Sequence, residues 1–144
     1  MWRKAPKAVR RWGVRFTQQR FQVTAGAVVI NEEGRVLLLK HVFRAGSGWG
    51  IPGGFLETGE QPEEALRREF REETGMELES AEIAFIRAHK KPPRVEIIYR
   101  CRASGEVKLG SYEIKGGEWF PPDQLPSGLS QDQRWIIRTV MSDK

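Results

Sequence analysis

The stretch from Gly54 to Met76, GFLETGEQPEEALRREFREETGM, decides how this chain is read. Gln61 to Thr74 carries helical periodicity, with Pro62 suited to a first turn that needs no backbone N–H and Gly75 suited to the stop. At about 100° per residue, Glu69, Glu72 and Glu73 share an arc of roughly 100° on one helix face. Such neighbours repel by roughly 0.2–0.5 kcal/mol per pair in water, and a bound cation removes that cost. Oxygen donors without a Cys or His ligand set favour a hard ion, Mg²⁺ with Mn²⁺ as its substitute, over Zn²⁺. Ions of this kind bind phosphate oxygens and acidify water, so the face points to hydrolysis of a phosphoanhydride.

The helix also supports a plainer reading. Glu63–Arg67, Glu64–Arg68 and Arg68–Glu72 are i,i+4 pairs, and an acidic helix laced with arginine can be no more than a solvated face. The residues upstream separate the two readings. Pro52-Gly53-Gly54 and Gly59-Glu60 set a tight turn leading into the helix, and glycine lets the backbone approach closely enough for a carbonyl to complete a coordination shell.

Outward from this segment, Phe21 to Ile30 and Val36 to Val42 are apolar, β-branched runs joined by Asn31-Glu32-Glu33-Gly34, a hairpin pattern. Arg44 to Gly54 is rich in glycine but carries Trp49 and Ile51, which predicts an ordered loop. Ala81 to Ala88, Arg94 to Ala103 and a short Glu118 to Phe120 read as further strands, and Gln131 to Met141 as a closing helix with Trp135, Ile136 and Val140 on one face. No repeat, low-complexity tract or linker to a second domain interrupts the chain.

A length of 144 residues suits one domain with its own core, and 39% apolar with 30% charged residues is a globular rather than a disordered balance. No run approaches the roughly 18 apolar residues of a membrane span, and no apolar h-region follows the basic N-terminus, so a cytoplasmic protein is expected. Cys101 stands inside an apolar strand pattern and reads as a packed thiol. The net charge of +5 favours anionic ligands, but seven of the first twenty residues are Lys or Arg and none is acidic. Residues 1–20 are therefore expected to form a basic arm packed on a domain of residues 21–144. Trp2, Trp12 and Phe16 in the arm either dock it or, interleaved with cations, touch RNA.

The segment 54–76 resembles the Nudix box: glycine, five residues, glutamate, seven residues, Arg-Glu, an apolar residue, any residue, Glu-Glu, any residue, glycine, apolar. Gly54, Glu60, Arg68, Glu69, Phe70, Glu72, Glu73, Gly75 and Met76 fill its nine specified positions. The preceding hairpin, the approach from Gly48 to Gly54 and the later Glu118 to Pro126 are also similar to the family. The resemblance implies an α+β fold, an α/β/α sandwich with a mixed sheet between helices, and a Mg²⁺-dependent pyrophosphohydrolase. It also implies roles: Glu69, Glu72 and Glu73 as metal ligands, a carbonyl of Gly53 or Gly54 beside them, and Arg68 orienting a glutamate. Glu60 then supports the loop or the metal shell, although a charge at the helix N-terminus favoured by the helix dipole explains it equally. The general base is Glu69 in some members and a later loop carboxylate in others, for which Glu113 is the candidate here, with Glu118 a weaker one.

For the substrate, Pro92 lies sixteen residues after Met76, where Nudix enzymes acting on ADP-ribose share a proline, although Lys90 to Arg94 is a turn that can hold proline for its own reasons. Lys90 and Arg94 can meet phosphates or remain solvated, and Trp49 and Phe55 can stack on a base or pack in the core. ADP-ribose or a related nucleotide sugar is thus the expected substrate. A nucleoside triphosphate or an RNA 5′ end is the alternative, and a non-catalytic nucleotide- or RNA-binding domain the second. A monomer or homodimer is expected.

Overall fold

The computed structural model describes residues 20–43, 46–108 and 110–142; the arm of residues 1–19 lies outside them. Nine elements follow one another among the described residues: β1 (Gln22–Ile30), β2 (Val36–His41), β3 (Trp49–Gly50), β4 (Gly53–Phe55), α1 (Pro62–Thr74), β5 (Ser80–His89), β6 (Arg94–Arg102), β7 (Ile114–Phe120) and α2 (Gln131–Ser142). The hairpin between β1 and β2 turns where expected. Asn31 Oδ1 accepts the backbone N–H of Glu33 and of Arg35, and Gly34 takes the left-handed conformation that the turn requires.

The strands form one mixed sheet of order β3-β2-β1-β6-β5, with β4 also on β1 and β7 also on β2. β1 and β6 run parallel, and all other pairs are antiparallel. Side-chain alternation fills both faces of this sheet. Ala25, Ala27, Val29, Leu37 and Leu39 join Leu66 and Phe70 of α1, while Val28, Ile30, Val36 and Leu38 join Ile136, Ile137 and Val140 of α2. The result is the expected α+β sandwich, helix on sheet on helix. Phe70 is fully buried, and its removal to Ala costs about 3–5 kcal/mol by the usual core accounting.

Two stretches are more regular than the pattern suggests. The glycine-rich segment expected as a loop supplies β3 and β4. β2 meets β1 only at Ile30↔Val36, so the earlier half of β1 has backbone groups to satisfy, and β4 pairs there through Thr24↔Phe55, Ala25↔Gly54 and Gly26↔Gly53. β7 likewise begins at Ile114, well before Glu118. It passes through Gly117, where a Cβ would stand 2.8 Å from Leu39 Cδ2 and 2.7 Å from Val107 Cγ2, so the absence of a side chain is what lets the strand lie down. Cys101 is buried, and burial pushes its thiol up to about 12, the behaviour of a packed rather than a reactive group. No helix among the described residues is long and apolar enough to cross a membrane.

Candidate active site

α1 begins at Pro62 with Glu63 and Glu64 in its first turn, and ends at Gly75, whose left-handed backbone returns its N–H to the Arg71 carbonyl. Thr74 closes the last turn by donating to the Phe70 carbonyl and accepting from the Met76 N–H. With Leu66 and Phe70 pressed into the sheet, the arc carrying Glu69 and Glu73 is turned toward β4. The glycines of β4 meet them there. The Gly53 N–H donates to Glu73 Oε1 at 3.2 Å, and a Cβ on Gly54 would stand 2.6 Å from Glu69 Cδ. Glu73 is buried at 8% exposure, and its Oε2 lies 3.3 Å from His41 Nε2.

Arg68 ties this face to the preceding turn. Its Nε donates to Glu60 Oε2 at 2.7 Å and its Nη2 to Glu60 Oε1 at 3.1 Å, a two-pronged pair, while Nη1 donates to Glu69 Oε1 at 3.1 Å. Glu60 Oε1 also accepts the Glu57 N–H, which closes the turn. The Arg68 hydrogen bond, then that of Glu57, holds the Glu60 carboxyl below its ordinary value, and the same contact raises the Arg68 guanidinium. Glu69 goes the other way. Burial, then the charge of Glu73, raises its carboxyl, and the Arg68 hydrogen bond only partly opposes them.

No three His, Cys, Asp or Glu side chains among the described residues converge as a closed metal cage. Glu69 is turned to Arg68, Glu73 to Gly53 and His41, and the Glu72 side chain is 57% exposed with only 3.5 Å contacts to Arg68. The donor chemistry nevertheless fits a hard divalent cation. Three carboxylates lie on one face, two of them lie against a strip of backbone that no Cβ obstructs, and Glu69 is crowded by negative charge that a cation would relieve.

The loop before β7 comes to the same end of α1. The Lys108 N–H donates to the Thr74 carbonyl, and the Glu113 carbonyl accepts the Val42 N–H beside His41. Glu113 is exposed there, and its backbone N–H donates to Ser111 Oγ. On the other side of β4 opens a cleft of about 280 Å³, lined by Thr24, Ile51, Phe55, Arg94, Glu96 and Gln133 among others. Gly53 and Gly54 line it, so β4 borders both the cleft and the acidic face. A larger groove, about 430 Å³, runs along α2 and Pro122, and no residue of the 54–76 segment lines it.

The residues predicted for substrate separate in space. Phe55, 54% exposed, and Arg94, whose Nε is buried without a partner among the described residues, both line the cleft. Lys90 and Pro92 are exposed in the β5–β6 turn and are not among its lining residues. Trp49 packs edge-on to Phe120 at 5.2 Å beneath Lys40, where it completes the α2-side core. Residues that the sequence did not flag take part instead. Asp132 and Gln133 enter the cleft from the first turn of α2, Gln133 Oε1 accepting the Ile51 N–H and Asp132 held by two hydrogen bonds from Arg87, which also donates to Glu96. His41, found against Glu73, is the other addition. None of the three had a signal in local pattern, since each partner lies far off along the chain.

Comparison with known proteins places the chain in a family. The NUDIX domain family profile matches residues 20–140. The chain is 34% identical over 110 residues to a MutT-like protein of Streptomyces ambofaciens, covering 76% of this chain and 70% of the relative. It is 33% identical to a putative 8-oxo-dGTP diphosphatase of Bacillus subtilis (72% of this chain, 70% of the relative). It is 32% identical to an ADP-ribose pyrophosphatase of Methanocaldococcus jannaschii (78% and 69%). Among solved structures, a MutT NUDIX hydrolase from Burkholderia pseudomallei superposes with a TM-score of 0.74 at 31% identity, covering 85% of this chain and 99% of that one. The acidic helix, the glycine strip against it and the profile match across nearly the whole chain have one reading: this protein belongs to the Nudix family of hydrolases, which act on pyrophosphate bonds.

Proposed function

We propose that this enzyme hydrolyses the diphosphate linkage of a nucleoside diphosphate joined to a second moiety, with ADP-ribose or a related nucleotide sugar as its substrate. Nudix hydrolases generally use divalent cations, and here Mg²⁺ is assigned to Glu69, Glu72 and Glu73 with a carbonyl of Gly53 or Gly54. The observation that carries the reading is the glycine backbone of β4 lying against Glu69 and Glu73 while opening, on its other side, into the cleft. When bound, such an ion supplies neutralisation of the diphosphate charge and a more acidic water.

The side chains divide the remaining work. Arg68, anchored on Glu60, positions Glu69. Glu69 or Glu113 takes the proton of the attacking water as its oxygen bonds to phosphorus and the bridging P–O bond breaks, leaving two monophosphate products. Phe55 offers a ring face for the base, and Arg94 a positive charge at the cleft wall. Pro92 and the Methanocaldococcus relative favour ADP-ribose; the Bacillus relative favours a nucleoside triphosphate, which is the second reading.

The test is a panel of ADP-ribose, nucleotide sugars, dGTP, 8-oxo-dGTP and 5′-triphosphate RNA with Mg²⁺, scored by the phosphate products released. ADP-ribose or a nucleotide sugar should head the ranking, and a preference for triphosphates transfers the assignment to the second reading. Glu73→Gln should abolish Mg²⁺-dependent turnover of every substrate while its circular dichroism stays that of the parent; unchanged turnover removes Glu73 from the site.

A further inference from the structure

His41 has no place in the chemistry above, yet it is placed with care. Leu37, Leu39 and His41 alternate onto the face of the sheet that α1 covers, so the strand aims the imidazole at the last turn of that helix. Its backbone is held on both sides at the point where β2 shifts register against β7. The His41 N–H donates to the Gly48 carbonyl, the next residue's N–H to the Glu113 carbonyl, and a Cβ on Gly48 would stand 2.8 Å from the His41 carbonyl oxygen. This backbone has little room to move.

Among the described residues the ring meets Glu73 and nothing else polar. Glu73 Oε1 accepts the Gly53 N–H and its Oε2 faces His41 Nε2 at 3.3 Å, so each oxygen has one donor and keeps its other lone pair. A carboxylate oxygen is an acceptor, so we assign the tautomer with hydrogen on Nε2. Nδ1 is then left buried with no partner among the described residues. A buried orphan nitrogen is unfavourable, and an aliphatic residue would fill the same space without one. Packing gives no reason for histidine here, whereas orientation of a carboxylate does: donors behind a ligand fix its direction, and their loss is felt in metal affinity.

We propose that His41 is a positioning residue for Glu73, holding Oε2 so that the carboxylate's remaining lone pairs point where a divalent cation binds. The proposal rests on the reading of Glu73 as a metal ligand. Glu69 and Glu72 contact Arg68 instead, so His41 and the Gly53 N–H are the donors seen on Glu73 among the described residues.

The test titrates the full chain with Mn²⁺ alone, following the free-ion signal by electron paramagnetic resonance. The parent is compared with His41→Ala, His41→Gln and Glu73→Gln. Circular dichroism melts in chelator establish that each variant is folded, and His41→Leu, which keeps the volume, replaces the alanine variant if that one is not. The donor-free variant should bind Mn²⁺ about 10- to 100-fold more weakly, and His41→Gln, which returns an N–H to the same region, should recover most of the loss. A loss below about fivefold in the donor-free variant, or a glutamine variant no better than it, overturns the proposal. If Glu73→Gln binds Mn²⁺ as the parent does, the ligand reading fails and takes this inference with it. If Glu73→Gln weakens binding while the donor-free variant does not, only the role of His41 falls.

Discussion

Gly54→Ala should separate catalysis from folding if Glu69 acts as proposed. The backbone at Gly54 is one that alanine adopts without strain, so the cost lies wholly in what the new methyl meets: Glu69 Cδ at 2.6 Å, with Cγ and Oε1 both at 2.8 Å. Carbon contacts settle at about 3.5–4.0 Å, so the Glu69 carboxylate must retreat by roughly 1 Å. It can do so, because these atoms end a flexible side chain. The stability penalty should stay near the low end of the overpacking range, about 1 kcal/mol, which lowers Tm by roughly 3–6 °C. The rate should suffer far more, since a displacement of about 1 Å at a reacting group costs on the order of 100-fold, or about 2.7 kcal/mol of barrier.

Gly53→Ala is the contrasting case. Its methyl would stand 2.3 Å from the Ala25 carbonyl oxygen and 2.8 Å from Gly26 Cα, both backbone atoms of β1, at a φ of +152°. Nothing there can yield without parting β4 from β1, so the loss should appear as instability of about 3 kcal/mol or more. The assay is product release under single-turnover conditions with Mg²⁺, set beside thermal unfolding in chelator. If Gly54→Ala turns over within about threefold of the parent while Glu69→Gln is inactive, the argument that this glycine makes room for a catalytic carboxylate is refuted.

Other consequences follow from the same contacts. Arg68→Lys keeps the charge but loses the fork that grips Glu60 and Glu69 together, so turnover should fall by about 10-fold or more with little change in Tm; parental kinetics would contradict the positioning role. Arg87 holds the Asp132 carboxyl below its ordinary value, and a depressed folded-state value means stability that is present above the unfolded-chain value of 3.8 and lost as pH falls through the lower one. The difference in unfolding free energy between the parent and Asp132→Asn should therefore be constant near neutrality and shrink below about pH 4. With Asp132 57% exposed it should not exceed about 1 kcal/mol in urea titrations, and a difference that grows in acid would reverse the assignment.

Much of the fold was legible because its causes are local. The helix 62–74 announces itself by Pro62, its apolar spacing and Gly75, and each of these acts within a turn or two of the chain. The strand runs Phe21 to Ile30 and Val36 to Val42 show β-branched, apolar residues on either side of a turn, a local hairpin pattern. Where local cues misled, the sheet had other demands. Glycine-rich residues near 50 became β3 and β4 because β1 left half an edge unpaired, and Gly117 extended β7 because Leu39 and Val107 needed its missing side chain.

For the site, the division is by distance along the chain. That Glu69, Glu72 and Glu73 share a face, with Arg68 between them and Glu60, follows from helical geometry and a short turn, so residue spacing sufficed to say it. Which atoms stand behind those carboxylates was settled only by packing: His41 lies 32 residues from Glu73, Asp132 is 45 from Arg87, and Gln133 is 82 from Ile51. No periodicity spans such separations. They close because two faces of one sheet each bury a helix, and burying α1 and α2 fixes where every side chain at their rims must fall.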